Sequence, residues 1–152
     1  MDEIDRKILT HLQQDSRIAV AELAEKVGVS RTVCWRRIKA LEDAGIIRAQ
    51  VALLNRNRLN LPVTVFVAIR TSRHDADWLQ KFAETVEGFP EITELYRMSG
   101  EVDYLLKVVV PDVAAYDRFY QRLIRRIDLA DVSSNFAMEE IKFTTALPLG
   151  GG

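Results

Sequence analysis

The sequence predicts an α+β protein with two domains, in which a helical front domain precedes a back domain of strands and helices. Apolar residues recur at helical spacing up to residue 46, whereas from Val63 onward they alternate as in strands. Between these patterns, residues 55–62 (NRNRLNLP) are polar, basic and end in proline, which is typical of a domain boundary. We therefore predict a front domain of residues 1–54, a linker of residues 55–62 and a back domain of residues 63–152.

The composition argues against membrane-spanning, secreted and disulfide-bonded classes of protein. The 152 residues are 48% hydrophobic, which is enough for two small cores. The sequence has no run of about 18 apolar residues and no apolar signal-peptide core near its acidic N-terminus, so we expect neither a membrane span nor secretion. Cys34 is the only cysteine and cannot form an intrachain disulfide. These features favour a cytoplasmic protein.

Charge is unevenly distributed along a chain whose formal net charge is only -1. Residues 31–58 contain seven basic and two acidic side chains, whereas residues 61–152 contain ten basic and fourteen acidic ones. A basic front and an acidic back indicate two modules with different partners. Ordinary scatter of surface charge is the alternative interpretation.

Three helices are predicted before residue 46. Asp2 is a suitable N-cap for the first helix, Gly28 suits a left-handed cap at the end of the second, and Ser30 can cap a third helix that stops at Gly45. The second and third helices are thus joined by a tight turn. This is the helix-turn-helix arrangement, in which the second helix of the pair enters the major groove of DNA.

The third helix has one inward stripe and one basic outward stripe at about 100° per residue. Cys34, Ile38 and Leu41 lie on the inward stripe, so we interpret Cys34 as a core residue and not as a redox switch or metal ligand. The outward stripe offers guanidinium, ammonium and hydroxyl groups, which suit guanine edges and phosphates. An ordinary solvated helix surface is the alternative. The candidate DNA-binding residues are Ser30, Arg31, Thr32, Trp35, Arg36, Lys39 and Arg48.

Residues 46–54, after Gly45, have the pattern of a strand. We predict that this strand forms a wing beside the helix-turn-helix. In that position Arg48 would reach the phosphate backbone, which makes the front domain a winged helix-turn-helix.

The back domain is predicted to follow the order βαββαβ, a ferredoxin-like fold with both helices on one face of the sheet. One helix begins near Asp75 or Asp77 and ends at Gly88, and the other begins after Pro111-Asp112. The opposite sheet face would be bare and largely apolar, which favours oligomerisation through the sheet. The predicted strands are residues 63–70, 91–98, 102–110 and about 131–140.

Five segments in order resemble the Lrp/AsnC (feast/famine) family of bacterial and archaeal regulators across essentially the whole chain. The resemblance implies a homodimer that often assembles to an octamer, double-stranded DNA bound by the front domain, and a small amino acid bound by the back domain between dimers. It implies a nucleoid-associated regulator with no cofactor. The segments are IDRKIL (4–9), ELAEKVGVS (22–30), RRIKALEDAGII (36–47), MSGEVDYLLKV (98–108) and MEEIKFTTALPL (138–149).

The same resemblance implies an effector site around the family's glycine-x-x-aspartate loop. Gly100 would let the α-carboxylate of a ligand approach backbone amides, and Asp103 would meet the ammonium group. The alternative is that Ser99-Gly100 is a simple hairpin turn and Asp103 a solvated edge residue. The candidate effector residues are Ser99, Gly100, Glu101, Val102 and Asp103 in this loop, with Ser133, Ser134 and Asn135 from a neighbouring subunit.

Two further questions are which effector binds and whether the protein is an enzyme. Residues Cys34-Trp35 of the third helix, VALL (51–54) and residues 133–149 resemble a branch of the family with a cysteine-responsive member, so we expect a small amino acid such as cysteine. His11 and His74 have no second ligand at metal spacing, and no nucleophile-base motif is visible, so we predict no enzyme and no metal. A tetrapyrrole decarboxylase-like enzyme of the same fold and a stand-alone amino-acid sensor are the alternatives.

Overall fold

A computed structural model describes residues 1–150 of the chain. Its residues form two compact units. The front unit consists of Met1–Leu53 together with the residues from Lys142 onward, and the back unit consists of Leu54–Ile141. The sequence-based boundaries assigned all of residues 63–152 to one domain, whereas the contacts of the terminal segment group it with the front unit.

The front unit contains the three predicted helices, α1 (Glu3–Gln14), α2 (Val20–Val27) and α3 (Arg31–Asp43). The predicted caps explain where they begin and end. The Asp2 carboxylate accepts a hydrogen bond from the Asp5 N–H, and Gly28 adopts a φ of 77°, a conformation that glycine enters without steric cost. The helices enclose a small core of Ile8, Leu9, Leu23, Ala24, Val27, Cys34 and Leu41.

The chain end completes this unit. Leu149 packs against the core, and the side-chain amide of Gln13 both donates to the carbonyl of Leu147 at 3.2 Å and accepts from its N–H at 2.6 Å. Two hydrogen bonds to one backbone residue fix the segment beside α1.

The strand predicted for the wing does not form within the described chain. Residues 46–54 form no strand, because a strand requires a hydrogen-bonded neighbour and, within the described part of the chain, none pairs with this segment. The residues instead continue from α3 in exposed, irregular conformation, with Arg48 exposed. The front unit is therefore a helix-turn-helix without a wing of its own.

The back unit has the predicted βαββαβ order. Its strands are β1 (Val63–Arg70), β2 (Ile92–Arg97), β3 (Tyr104–Val110) and β4 (Asp131–Phe136), and its helices are α4 (Ala76–Glu87) and α5 (Val113–Arg126). The antiparallel sheet has the strand order β2-β3-β1-β4. Strand β4 ends at Phe136, opposite Val65, and does not reach residue 140 as predicted, because in this register residue 140 would lie opposite residue 61, before β1 begins at Val63. Part of the predicted linker forms a 3₁₀ turn, Arg56–Leu59.

Both helices pack on one face of the sheet, as predicted. Val65, Val67 and Ile69 of β1 are fully buried beneath Phe82 of α4 and Phe119 of α5. The other face, which we call the open face, includes Phe66 at 39% exposure and the half-buried Leu105 and Val109. The strands therefore present one face covered by α4 and α5 and one face that neither of these helices covers.

Candidate functional site

The turn between α2 and α3 is held by hydrogen bonds. The N–H of Val29 donates to the carbonyl of Ala24 at 3.0 Å, and the Ser30 hydroxyl accepts from the N–H of Val33 at 3.2 Å. These bonds satisfy backbone groups that the helix ends would otherwise leave unpaired. The turn thus fixes the direction of α3 relative to α2, as the helix-turn-helix arrangement requires.

One stripe of α3 lies in the core of the front unit. Cys34 is fully buried, Leu41 is buried, and Ile38 packs partly against the same cluster. Burial raises the pKa of the Cys34 thiol, because the thiolate loses its hydration there. Cys34 is therefore a core residue, as the helix phase predicted.

The opposite side of α3 is exposed, and we call it the recognition face: Arg31, Thr32, Trp35, Arg36 and Lys39. Trp35 is 56% exposed, which is unusual for so large an aromatic side chain. Its ring is therefore available to a partner. Within residues 1–150, the Arg36 side chain makes no hydrogen bond or ion pair. Lys39 donates to Glu42 at 3.1 Å, and this contact raises the pKa of the Lys39 ammonium.

Arg37 is paired with two carboxylates, unlike its neighbours on α3, and the phase of the helix does not predict this pairing. Its Nη1 atom lies 2.6 Å from Oδ2 of Asp2 and 3.1 Å from Oδ1 of Asp5. The hydrogen bond from Arg37 lowers the pKa of the Asp2 carboxyl to about 2. The sequence did contain a signal for this pairing. Two aspartates lie at the start of α1, and carboxylates there attract a cation from a helix that packs against them.

The loop Ser99–Asp103, the effector loop, joins β2 to β3 and projects Ser99, Gly100 and Glu101 into solvent. The N–H of Asp103 donates to the Ile69 carbonyl at 2.9 Å, and its Oδ2 atom accepts from the N–H of Thr71 at 2.8 Å. Asp103 is thus half-buried and is not a solvated edge residue. A Cβ on Gly100 would meet no atom within 4 Å, so the fold of this chain alone does not require glycine there.

The three candidate residues on β4 do not share one face. The Ser134 hydroxyl is hydrogen-bonded to the Tyr116 hydroxyl on the helix side of the sheet. Ser133 and Asn135 pair with Ala68 and Phe66 and lie on the open face, because side chains alternate along a strand. A single pocket that contains all three side chains is therefore not formed by this strand.

The described residues offer neither a metal site nor a membrane span. Among residues 1–150, no group of three or more histidine, cysteine, aspartate or glutamate side chains is arranged to hold a metal ion. In the same part of the chain, no helix has the length and apolar character needed to cross a membrane.

Comparison with known proteins gives two matches, one to most of each unit, although the match to the back unit also includes residues 142–147 of the front unit. The Lrp/AsnC ligand binding domain matches residues 64–147, and a winged helix-turn-helix DNA-binding domain matches residues 1–48. The described chain has the helix-turn-helix of this second domain without its wing strand.

Full-length relatives and structures agree with these matches. The chain is 48% identical to the glutamate uptake regulatory protein of Zymomonas mobilis, covering 98% of this chain and 91% of the relative. It is 47% identical to the DNA-binding transcriptional activator DecR of Escherichia coli, covering 98% and 99% of the two chains.

Solved structures extend the likeness to the fold. An AsnC family transcriptional regulator from Agrobacterium tumefaciens has a TM-score of 0.95 at 62% identity, covering 98% of this chain and 97% of that one. A transcriptional regulator from Neisseria meningitidis, in complex with L-methionine, has a TM-score of 0.93 at 39% identity, with coverage of 98% and 97%. The chain therefore belongs to the Lrp/AsnC family and is a DNA-binding transcriptional regulator whose back unit is the family's ligand-binding domain.

Proposed function

We propose that the recognition face of α3 reads the major groove of double-stranded DNA. The observation that carries this proposal is Arg36, which is exposed and has no partner among residues 1–150, on a helix whose opposite stripe lies in the core. A free guanidinium matches the two acceptors of a guanine edge. Ser30, Arg31 and Thr32 lie at the start of α3, where hydroxyl groups and backbone amides suit a phosphate. Trp35, Lys39 and Arg48 are assigned flanking contacts.

The test compares Arg36→Ala with Lys7→Ala on a duplex that the wild-type protein enriches from a random-sequence pool. Lys7 is an exposed cation of α1, outside the helix-turn-helix, and pairs with Glu3. We expect Arg36→Ala to lose specific binding while its helical content stays unchanged. If Arg36 also neutralises one phosphate, the slope of log affinity against log salt concentration, which we call the salt slope, should be smaller in magnitude by about 0.9 for the variant. If the variant keeps its site preference, the assigned recognition face is wrong.

We propose that the effector loop binds a small amino acid. The structure of the Neisseria meningitidis relative contains L-methionine, and the branch resemblance suggests cysteine. In this chain Thr71 occupies Oδ2 of Asp103, which leaves Oδ1 for the ammonium group of a ligand. All three β4 candidates are retained as effector contacts. Ser133 and Asn135 would contact a ligand on the open face, whereas Ser134 would do so on the helix side of the sheet.

The effector test is titration calorimetry of the protein with L-cysteine, L-methionine and L-glutamate, each against its D-enantiomer. Stereoselective binding of one amino acid, followed by a change in DNA affinity, is the expected result. Coupling between two sites typically amounts to ~1–3 kcal/mol, or about 5- to 150-fold in affinity. Equal heats for both enantiomers of every amino acid would contradict the proposal.

We propose a homodimer, assembling further to an octamer, as the active state. The apolar side chains of the open face support association through the sheet. A dimer would place two α3 helices in successive major grooves, about 34 Å apart along the duplex. Light scattering after size exclusion gives the mass directly, and a monomer at micromolar concentration would exclude this assembly.

We propose that the protein has no enzymatic activity. Its named relatives are transcriptional regulators, and the exposed cations of α3 have no role in a tetrapyrrole decarboxylase. Added haem or porphyrin should produce no shifted Soret band, whereas a stoichiometric shift would favour the decarboxylase alternative. A stand-alone sensor would show no salt-dependent affinity for any duplex.

A further inference from the structure

The basic side chains of α3 stand in different surroundings although they are close in sequence. Arg36 is exposed, whereas the side chain of Arg37 is only 31% exposed and contacts two carboxylates. We propose that Arg37 is a positioning residue: by holding Asp2 and Asp5, it orients α3 against α1 for DNA recognition and makes no contact with DNA itself. This inference rests on the proposed role of the recognition face.

The contact joins two distant parts of the front unit. Asp2 and Asp5 form the capping box at the start of α1, in which the side chain of each accepts a hydrogen bond from the backbone of the other. One guanidinium nitrogen of Arg37 bridges both carboxylates, at 2.6 and 3.1 Å. The middle of α3 is therefore tied to the first turn of α1, across more than thirty residues of sequence.

The local charge argues against a direct DNA contact. Arg37 with its two aspartates carries one net negative charge, so this cluster repels a phosphate. If Arg37 turned toward DNA, it would leave two adjacent carboxylates without their cation. Arg36 faces no such competition among the described residues.

These two roles predict opposite signs for one perturbation. The double variant Asp2→Asn/Asp5→Asn keeps a good N-cap at position 2 and an acceptor oxygen at position 5 but removes two negative charges. If Arg37 contacts phosphate, releasing it from the aspartates must strengthen DNA binding. If Arg37 positions α3, the same variant must weaken specific binding although the protein has become more basic.

The experiment measures affinity for the selected duplex and for a scrambled duplex between about 50 and 300 mM salt, because a range of that width is needed for a reliable slope. We expect affinity for the selected duplex to fall about two- to fivefold, in keeping with a partly exposed ion pair, and affinity for the scrambled one to stay the same or rise slightly, because two negative charges are removed. The salt slope should not fall. The matched control is Glu22→Gln/Glu25→Gln, which removes two exposed charges from α2 and should bind both duplexes at least as tightly as wild type.

Tighter binding of the selected duplex by Asp2→Asn/Asp5→Asn would overturn the proposal, as would an equal loss on both duplexes. Far-UV circular dichroism and the urea midpoint identify an unfolded variant; in that case Asp2→Asn alone, at an exposed position, must show the same sign with a smaller amplitude. The result is separable from the recognition face itself. Arg36→Ala tests that face, whatever the sign measured for the aspartate variants.

Discussion

Replacing Asp103 should affect both the stability of the back unit and its response to effector, and two substitutions separate these effects. Oδ2 of Asp103 accepts from the N–H of Thr71, a residue only 7% exposed. Asp103→Ala leaves that amide without a partner and without easy access to water, at a cost of about 1–3 kcal/mol. Asp103→Asn keeps an acceptor and loses only the charge assistance, so we expect a cost of about 1 kcal/mol or less.

Stability is measured by urea unfolding in a Trp35→Phe background. Trp78, buried in the back unit, is then the only tryptophan and reports this unit selectively. Response is measured as the change in DNA affinity on adding the amino acid found by calorimetry, in the wild-type tryptophan background. We expect Asp103→Asn to fold nearly normally and to lose the response.

Two results would refute this reasoning. If Asp103→Ala is as stable as Asp103→Asn, the hydrogen bond to Thr71 does not support the loop. If Asp103→Asn responds like wild type, the carboxylate does not bind the ammonium group of the effector.

Three further predictions concern the front unit. The Asp2 carboxyl should titrate near pH 2 by NMR and move toward 3.8 in Arg37→Gln; because its pKa is lowered in the folded protein, the contact stabilises the fold above pH 3.8 and is lost as the pH falls toward 2. Leu149→Ala should destabilise the front unit by about 1–2 kcal/mol in urea, whereas Leu147→Ala, at an exposed side chain, should change stability little; equal effects would refute the packing of the chain end. Cys34 should react with a thiol reagent only as the unit unfolds, so labelling at the rate of a free thiol in native buffer would contradict its burial.

The local features of the fold were predictable because neighbouring residues determine them. Asp2, Gly28 and Ser30 fixed the helix ends through caps that involve only a few residues on either side. The alternation in residues 63–70 likewise predicted β1 at its observed bounds. In such segments the periodicity of apolar residues and the cap chemistry favour the same structure.

Features that depend on a distant partner were not predictable in this way. Residues 46–54 have a strand-like pattern, but a pattern does not supply the hydrogen-bonded neighbour that a strand needs. Strand β4 does not extend to residue 140, because β1 begins at Val63 and offers no partner that far along the strand. Leu149 packs against the front core, which is a contact between residues far apart in the sequence, so no local pattern predicts it.

The same distinction applies to the candidate site. By itself, the sequence determined which side of α3 is basic and exposed, because helical phase follows from spacing alone. Tertiary structure decided which cations of the helix are available: it bound Arg37 to Asp2 and Asp5 and left Arg36 unpaired within the described chain. It also gave Asp103 its bond to Thr71 and placed Ser134 on the opposite face from Ser133. A side chain's charge is set by its own chemistry, whereas its freedom to act depends on what the fold packs beside it.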